Sequence, residues 1–266
     1  MGAIRRPAVA GSFYPADPQD LRCMVEGYLA AVHPVGPVPK AIIAPHAGFI
    51  YSGAIAASAY ARLRPAHQII RRVVLMGPSH RVAFHGLAVT SADAYASPLG
   101  EVPIDREAVD RIVALPEVGL LDAAHGPEHS LEVHLPFLQV ALDRFSLVPI
   151  VAGQAAAPTV AAVLNALWGG PETLFVISSD LSHYLEYDSA RALDDRTRQA
   201  IEAFDPSAIG HDQACGRVPV SGLLTLARTR HLSVETLDLR NSGDTAGPRN
   251  GVVGYGAWAF CEEPRP

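Results

Sequence analysis

Three histidines stand directly behind short apolar runs. Ala41-Ile42-Ile43-Ala44 leads into Pro45-His46-Ala47-Gly48, Val73-Val74-Leu75-Met76 into Gly77-Pro78-Ser79-His80, and Phe175-Val176-Ile177-Ser178 into Ser179-Asp180-Leu181-Ser182-His183. A single histidine behind a strand commonly does no more than close a turn. Three of them, one with an aspartate three positions earlier, fit imidazole ligation of iron, copper, zinc or nickel better than the oxygen cage of a hard cation. Cys215 lies in Gln213-Ala214-Cys215-Gly216-Arg217-Val218-Pro219, ahead of an apolar helical run. A helix start beside an arginine predicts a thiol pKa lowered toward the thiolate. Its readings are a metal ligand, a redox thiol, or a small buried hydrophobe. The expectation is that His46, His80, Asp180, His183 and Cys215 gather into one buried polar site able to hold a redox-active transition metal.

A second cluster is Glu128-His129-Ser130-Leu131-Glu132-Val133-His134-Leu135-Pro136. If this segment starts a helix, Glu128 and His134 line the same pocket; otherwise Glu128 is a helix-start charge and His134 a packing residue. Pro136 marks either a kink or the true first turn. The spacing is not His-Glu-x-x-His, which removes a zinc-protease reading. Gly251-Val-Val-Gly254-Tyr-Gly256 is not a dinucleotide fingerprint and reads as a glycine-rich strand. Ser79 and Ser182 adjoin histidines outside any Gly-x-Ser-x-Gly elbow. Asn241-Ser242-Gly243-Asp244 is turn chemistry.

The elements that must position these groups follow from apolar patterning. Segments 40–44, 72–76, 146–151 and 173–177 are continuously apolar at strand length, as in the buried strands of a mostly parallel sheet. Helical patterns at 18–32, 52–63, 106–115, 131–142, 157–167, 189–203 and 219–229 separate them, which predicts α/β layering. In an open parallel sheet the carboxyl ends of the strands share one edge, so residues far apart in sequence converge there. The stretch at 34–39 is read as a loop, because the residues before it are too few for a core of their own. One domain over 1–266 is expected.

Of the 266 residues, 49% are hydrophobic and 18% charged, and the formal net charge is −6. No basic cluster exceeds an Arg-Arg pair, which excludes an electrostatic footprint for nucleic acid. Three cysteines at no framework spacing point to free thiols and a reducing compartment, Cys23 and Cys261 being read as buried packing residues. The start, Met1-Gly2-Ala3-Ile4-Arg5-Arg6-Pro7, lacks the apolar run of a secretory signal, and no stretch reaches membrane-spanning length. A soluble, cytoplasmic protein with a small-molecule or protein partner is expected.

With Ala10-Gly11-Ser12-Phe13-Tyr14-Pro15, Ala44 through Gly53, Gly77-Pro78-Ser79-His80, Glu128 through Pro136, Ser178 through His183, Cys215-Gly216-Arg217 and Asn241 through Asp244, the chain resembles the MEMO1 family almost end to end. That family comprises the mediator of cell motility proteins and their bacterial and archaeal relatives. The resemblance implies a three-layer α/β/α fold similar to the LigB-type, class III extradiol dioxygenases, which open catechol rings with non-haem Fe(II). It places metal ligands on His46, His80 and Cys215, the cysteine standing where the dioxygenases use a carboxylate. It also puts His183 at the position of an acid/base histidine. Asp180 then either orients a ligating imidazole or completes a two-histidine, one-carboxylate set. A thiolate favours Cu(I), zinc or a differently tuned iron. Three functions follow: a metal-dependent redox protein using iron or copper, a binding module for a peptide, small ligand or partner enzyme, and a zinc-assisted hydrolase. The resemblance further implies signalling roles for eukaryotic relatives and radical-SAM partners for prokaryotic ones.

Overall fold

In the computed structural model, which describes residues 2–262, the apolar runs become strands. In chain order the strands are β1 (Ile4–Arg5), β2 (Ala41–Ala44), β3 (Arg72–Pro78), β4 (Leu87–Val89), β5 (Ala94–Ser97), β6 (Gly100–Pro103), β7 (Val118–Leu120), β8 (Ser146–Ala152), β9 (Thr173–Ser178), β10 (His183–Leu185), β11 (Ser233–Asn241) and β12 (Val252–Cys261). The helices are α1 (Pro18–Ala30), α2 (Phe49–Tyr60), α3 (Arg106–Val113), α4 (Asp122–His125), α5 (Leu135–Ala141), α6 (Ala157–Ala166), α7 (Tyr187–Glu202) and α8 (Arg217–Thr229).

Nine strands form one sheet in the order β10-β12-β2-β9-β3-β8-β4-β7, with β11 also on β12. Its centre, β2-β9-β3-β8, is parallel. Antiparallel pairings extend it, through β12 on one side and β4 on the other. The four central strands are the four continuously apolar runs of the sequence, and Ile42, Ile43, Val73, Val74, Leu75, Phe175, Val176 and Ile177 have no exposed surface. Each such side chain contributes about 1.5–3 kcal/mol on burial. Polar residues cannot interrupt strands covered on both faces.

Helices flank this sheet. α1, α2 and α5 pack on one another with α2 against β2, β11 and β12, while α6 pairs with α8, which lies on β3 and β9. α1 starts where the sequence stops it cheaply: Asp17 accepts from the N–H groups of Gln19 and Asp20, and Pro18 occupies the first turn. Pro136 sits in the first turn of α5, behind a short 3-10 turn at Glu132–His134, so it marks a start and not a kink. A separate three-stranded sheet, β1-β5-β6, holds the N-terminal segment.

Register places the site. Ala44 lies beside Ser178 in the β2–β9 pair and Met76 beside Ile177 in β3–β9. His46 and Asp180 therefore each stand two residues beyond aligned strand ends, with the His80 loop leaving the next strand. The glycines of β12 have a steric reason: a Cβ on Gly254 would lie 2.0 Å from an Asp194 carboxylate oxygen, and one on Gly256 2.0 Å from the Trp258 ring. Cys261 is buried as expected, whereas Cys23 is exposed on the outer face of α1; the apolar look of its neighbourhood came from Leu21 and Val25, which face inward. No helix among the described residues is long and apolar enough to cross a membrane.

Candidate metal centre

His46 is 98% removed from solvent on its β2-end turn. Its Nδ1 lies 2.6 Å from Ser178 Oγ, and that hydroxyl gives its only hydrogen to the Ser130 carbonyl, also at 2.6 Å. The serine oxygen must therefore accept, so Nδ1 carries the hydrogen and the Nε2 lone pair is free. Burial, followed by the neighbouring His80 and His129 imidazoles, pushes the His46 pKa well down and keeps the ring neutral.

His80 has its Nδ1 held by a different partner. Its Nδ1 donates to Glu128 Oε1 at 2.9 Å, and its backbone N–H donates to Glu128 Oε2 at 2.6 Å. Glu128 Oε1 also accepts from the N–H groups of His129 and Ser130. Burial alone would raise the Glu128 pKa, but the hydrogen bonds from His80 and Ser130 outweigh it and hold the carboxyl at about 2. Glu128 thus stands behind the His80 ring as a fixed anion. Such a partner sets the tautomer of a ligating histidine and raises its basicity. The His80 side chain remains 28% exposed, which leaves the site open from that side.

Cys215 comes from the turn before α8. Its backbone N–H donates to the Asp180 carbonyl at 3.2 Å, the Asp180 N–H points at Sγ at 3.2 Å, and Sγ lies 3.4 Å from His46 Nε2. Gly216 permits this approach, since a Cβ there would lie 2.3 Å from the Ser178 carbonyl oxygen. The expected depression of the thiol pKa is not found. Burial, reinforced by the Asp180 charge, pushes it up, and this outweighs the helix start; the Arg217 guanidinium turns instead to His211. A bound cation would reverse that balance, because a coordinated thiol is deprotonated.

Donor atoms of His46, His80 and Cys215 all lie within 4.8 Å of one another. Ligands 2.0–2.3 Å from a tetrahedral ion stand roughly 3.5 Å apart, a spacing the Cys215–His46 pair already has. The donor set, two imidazoles and a thiol, fits a transition metal.

Asp180 adjoins this group: its Oδ1 accepts from the His46 N–H at 2.8 Å, and its Oδ2 is 3.9 Å from His46 Nε2. Burial pushes its pKa up, against the hydrogen bond from His46. His183 begins β10 on the exposed side, its Nδ1 bonded to the Leu181 carbonyl at 2.8 Å. His134 lies deeper, fully buried, with Nδ1 2.8 Å from the Tyr60 hydroxyl and a pKa that burial pushes down to about 3.

His129 is the site neighbour that residue patterning missed. Its ring stacks on His80 at 4.7 Å and meets His46 edge-on at 5.5 Å. It forms a second donor group with His80 and Glu128 within 4.8 Å, and its buried Nδ1, 3.5 Å from Glu128 Oε1, has no hydrogen-bond partner among the described residues. Adjacency to Glu128 was the available signal. On its other side His129 meets Phe13 at 4.9 Å, which gives the Ala10–Pro15 motif a place: Tyr14 and the N–H groups of Ala8 and Val9 bind the buried Glu132 carboxylate, together with Arg5.

Comparison with known proteins agrees along nearly the whole chain. The family model described as Memo-like protein matches residues 5–259. A MEMO1 family protein of Aquifex aeolicus is 37% identical over 95% of this chain and 97% of its own length. One from Methanothermobacter thermautotrophicus is 37% identical over 95% and 98%, and one from Archaeoglobus fulgidus 35% over 97% and 99%. The chain whose strand ends and α8 turn bring His46, His80 and Cys215 together belongs to the MEMO1 family.

Proposed function

We propose that this protein holds a non-haem iron or copper ion on Nε2 of His46, Nε2 of His80 and Sγ of Cys215, and acts as a metal-dependent redox protein on a small molecule. The observation that carries the reading is that both imidazoles have Nδ1 tied to an acceptor, which leaves Nε2 of each as the atom for an ion beside one thiol. The likeness of the His46 and His80 motifs to LigB-type dioxygenases supports iron, and the thiol in place of a carboxylate supports copper. When bound, such an ion supplies electron transfer and Lewis acidity.

The chain's own groups handle the protons. Cys215 gives up its thiol proton on loading, so metal uptake is pH-dependent and releases acid. Asp180, which burial pushes toward its protonated form, and His183, on the exposed side, hold and pass protons between the buried donors and solvent. A reducing cytoplasmic setting, which keeps Cys215 a free thiol, fits this role. The test is elemental analysis of anaerobically purified wild type beside a His46→Ala/His80→Ala variant. Near-stoichiometric iron or copper in the wild type and loss in the variant is expected; equal, negligible metal in both would overturn the reading, and zinc alone would move it to hydrolytic chemistry.

A further inference from the structure

A cavity of about 340 Å³ opens beside the donor group, with His80 and Cys215 in its wall. That is the low end of small-molecule sites. Its remaining wall includes Arg81, Val82, Phe84, Gln154 and Val218, and no carboxylate is among its lining residues. In a chain of net charge −6 such a wall is distinctive. Arg81 has no ion-pair partner among the described residues, and its charge is felt at His129. The end of α8 also faces this space through Val218. Gly216 offers no capping side chain there, Pro219 has no N–H, and the Val218 N–H meets no acceptor among the described residues. Both features place positive potential at the cavity. Val82, Phe84 and Val218 supply apolar surface.

We propose that this cavity takes a small organic carboxylate, its anionic end at Arg81 and the open end of α8, its apolar body on Val82, Phe84 and Val218. That it is the substrate class of the metal centre rests on the function proposed above; the binding itself does not. A guanidinium–carboxylate contact is worth roughly a tenfold change in affinity or more.

The test is calorimetric titration of benzoate, its neutral isostere benzamide, and inorganic phosphate into wild type and Arg81→Met, each chelator-treated and metal-loaded. Unfolding curves on the same samples verify the fold. Benzoate is expected to bind wild type at least about tenfold more tightly than benzamide, with the difference erased in Arg81→Met, in metal-free protein as well as loaded. Equal affinity for benzoate and benzamide, or an unchanged preference in Arg81→Met, would overturn the proposal. So would no benzoate binding up to about 10 mM, a generous limit for a ligand this small. Phosphate binding that displaces benzoate at equal concentration would make this an inorganic-anion site and overturn it too. Carboxylate selectivity in a protein that takes up no metal would leave this proposal standing while the metal reading fails.

Discussion

The Nδ1 atoms of His46 and His80 are held by unlike means, a neutral hydroxyl relay for one and a carboxylate for the other. Replacing either partner frees the Nδ1 hydrogen and the ring's orientation without touching a donor atom. Ser178→Ala and Glu128→Gln are each expected to weaken metal binding by about ten- to a hundredfold, measured by competition against a chromophoric chelator. Affinities equal to wild type would show that the rings are held by packing alone. Gly216→Ala acts on the third donor: the added methyl collides with the Ser178 carbonyl, and Cys215 must move. Cobalt-loaded protein then loses the thiolate-to-metal absorption band that wild type is expected to show. The two histidine donors were legible in sequence because each follows its strand directly, so the topology of the sheet delivers them, whereas Cys215 comes from the turn before α8 and was drawn into the set by the family resemblance. His129 was not, because its place depends on the turn after Glu128 and on Phe13 from the far end of the chain.

At the scale of elements, the buried Glu132 carboxylate is the fastening of the N-terminal segment. It takes hydrogen bonds from Arg5, Ala8, Val9 and Tyr14, and both it and Arg5 are nearly sealed from water. Removing one member of a buried pair strands the other, at a cost of about 3–5 kcal/mol. Glu132→Ala is therefore expected to lower unfolding free energy by that order in urea titrations, and to make the segment before Tyr14 sensitive to limited proteolysis. A loss below about 1 kcal/mol, the level of an exposed pair, would contradict this account. The four central strands could be read from their apolar runs. β4, β7 and β10 could not, since three residues are too few to show a period. β11 was missed for another reason: its charged residues Glu235, Asp238 and Arg240 mask a strand whose pairing, among the described residues, is with β12 alone.

Across the whole molecule, several imidazoles are buried neutral, and this sets an acid limit on stability. His125 shows the sign. Its Nε2 donates to the Ala88 carbonyl, so Nδ1 accepts from the Tyr95 hydroxyl and the ring carries no charge. Burial pushes its pKa down to about 4, from an unfolded value near 6.5. Below pH 6.5 the unfolded chain takes the proton and the native one does not. Stability is thus full above that value and falls as pH drops toward 4, by a total on the order of 3 kcal/mol for this group. Urea midpoints between pH 7 and pH 4.5 are expected to decline, and His125→Gln, less stable at pH 7, is expected to decline less steeply. A parallel decline in both proteins would assign the acid sensitivity elsewhere.

β12, the last strand described, is hydrogen-bonded to β2, the first strand of the large sheet, with Trp258 beside Ile43. During synthesis this joins the two ends of a long wait. β2 emerges early, yet one of its edges stays unpaired until residues 258–260 follow, and contacts of such sequence separation form slowly. The nascent chain therefore carries an open, fully apolar strand edge over the more than 200 residues between β2 and β12, the kind of edge that recruits other chains. The sheet that assembles the donors closes only once residues 258–260 have been made, and a chain cut before Val252 would keep that edge for good.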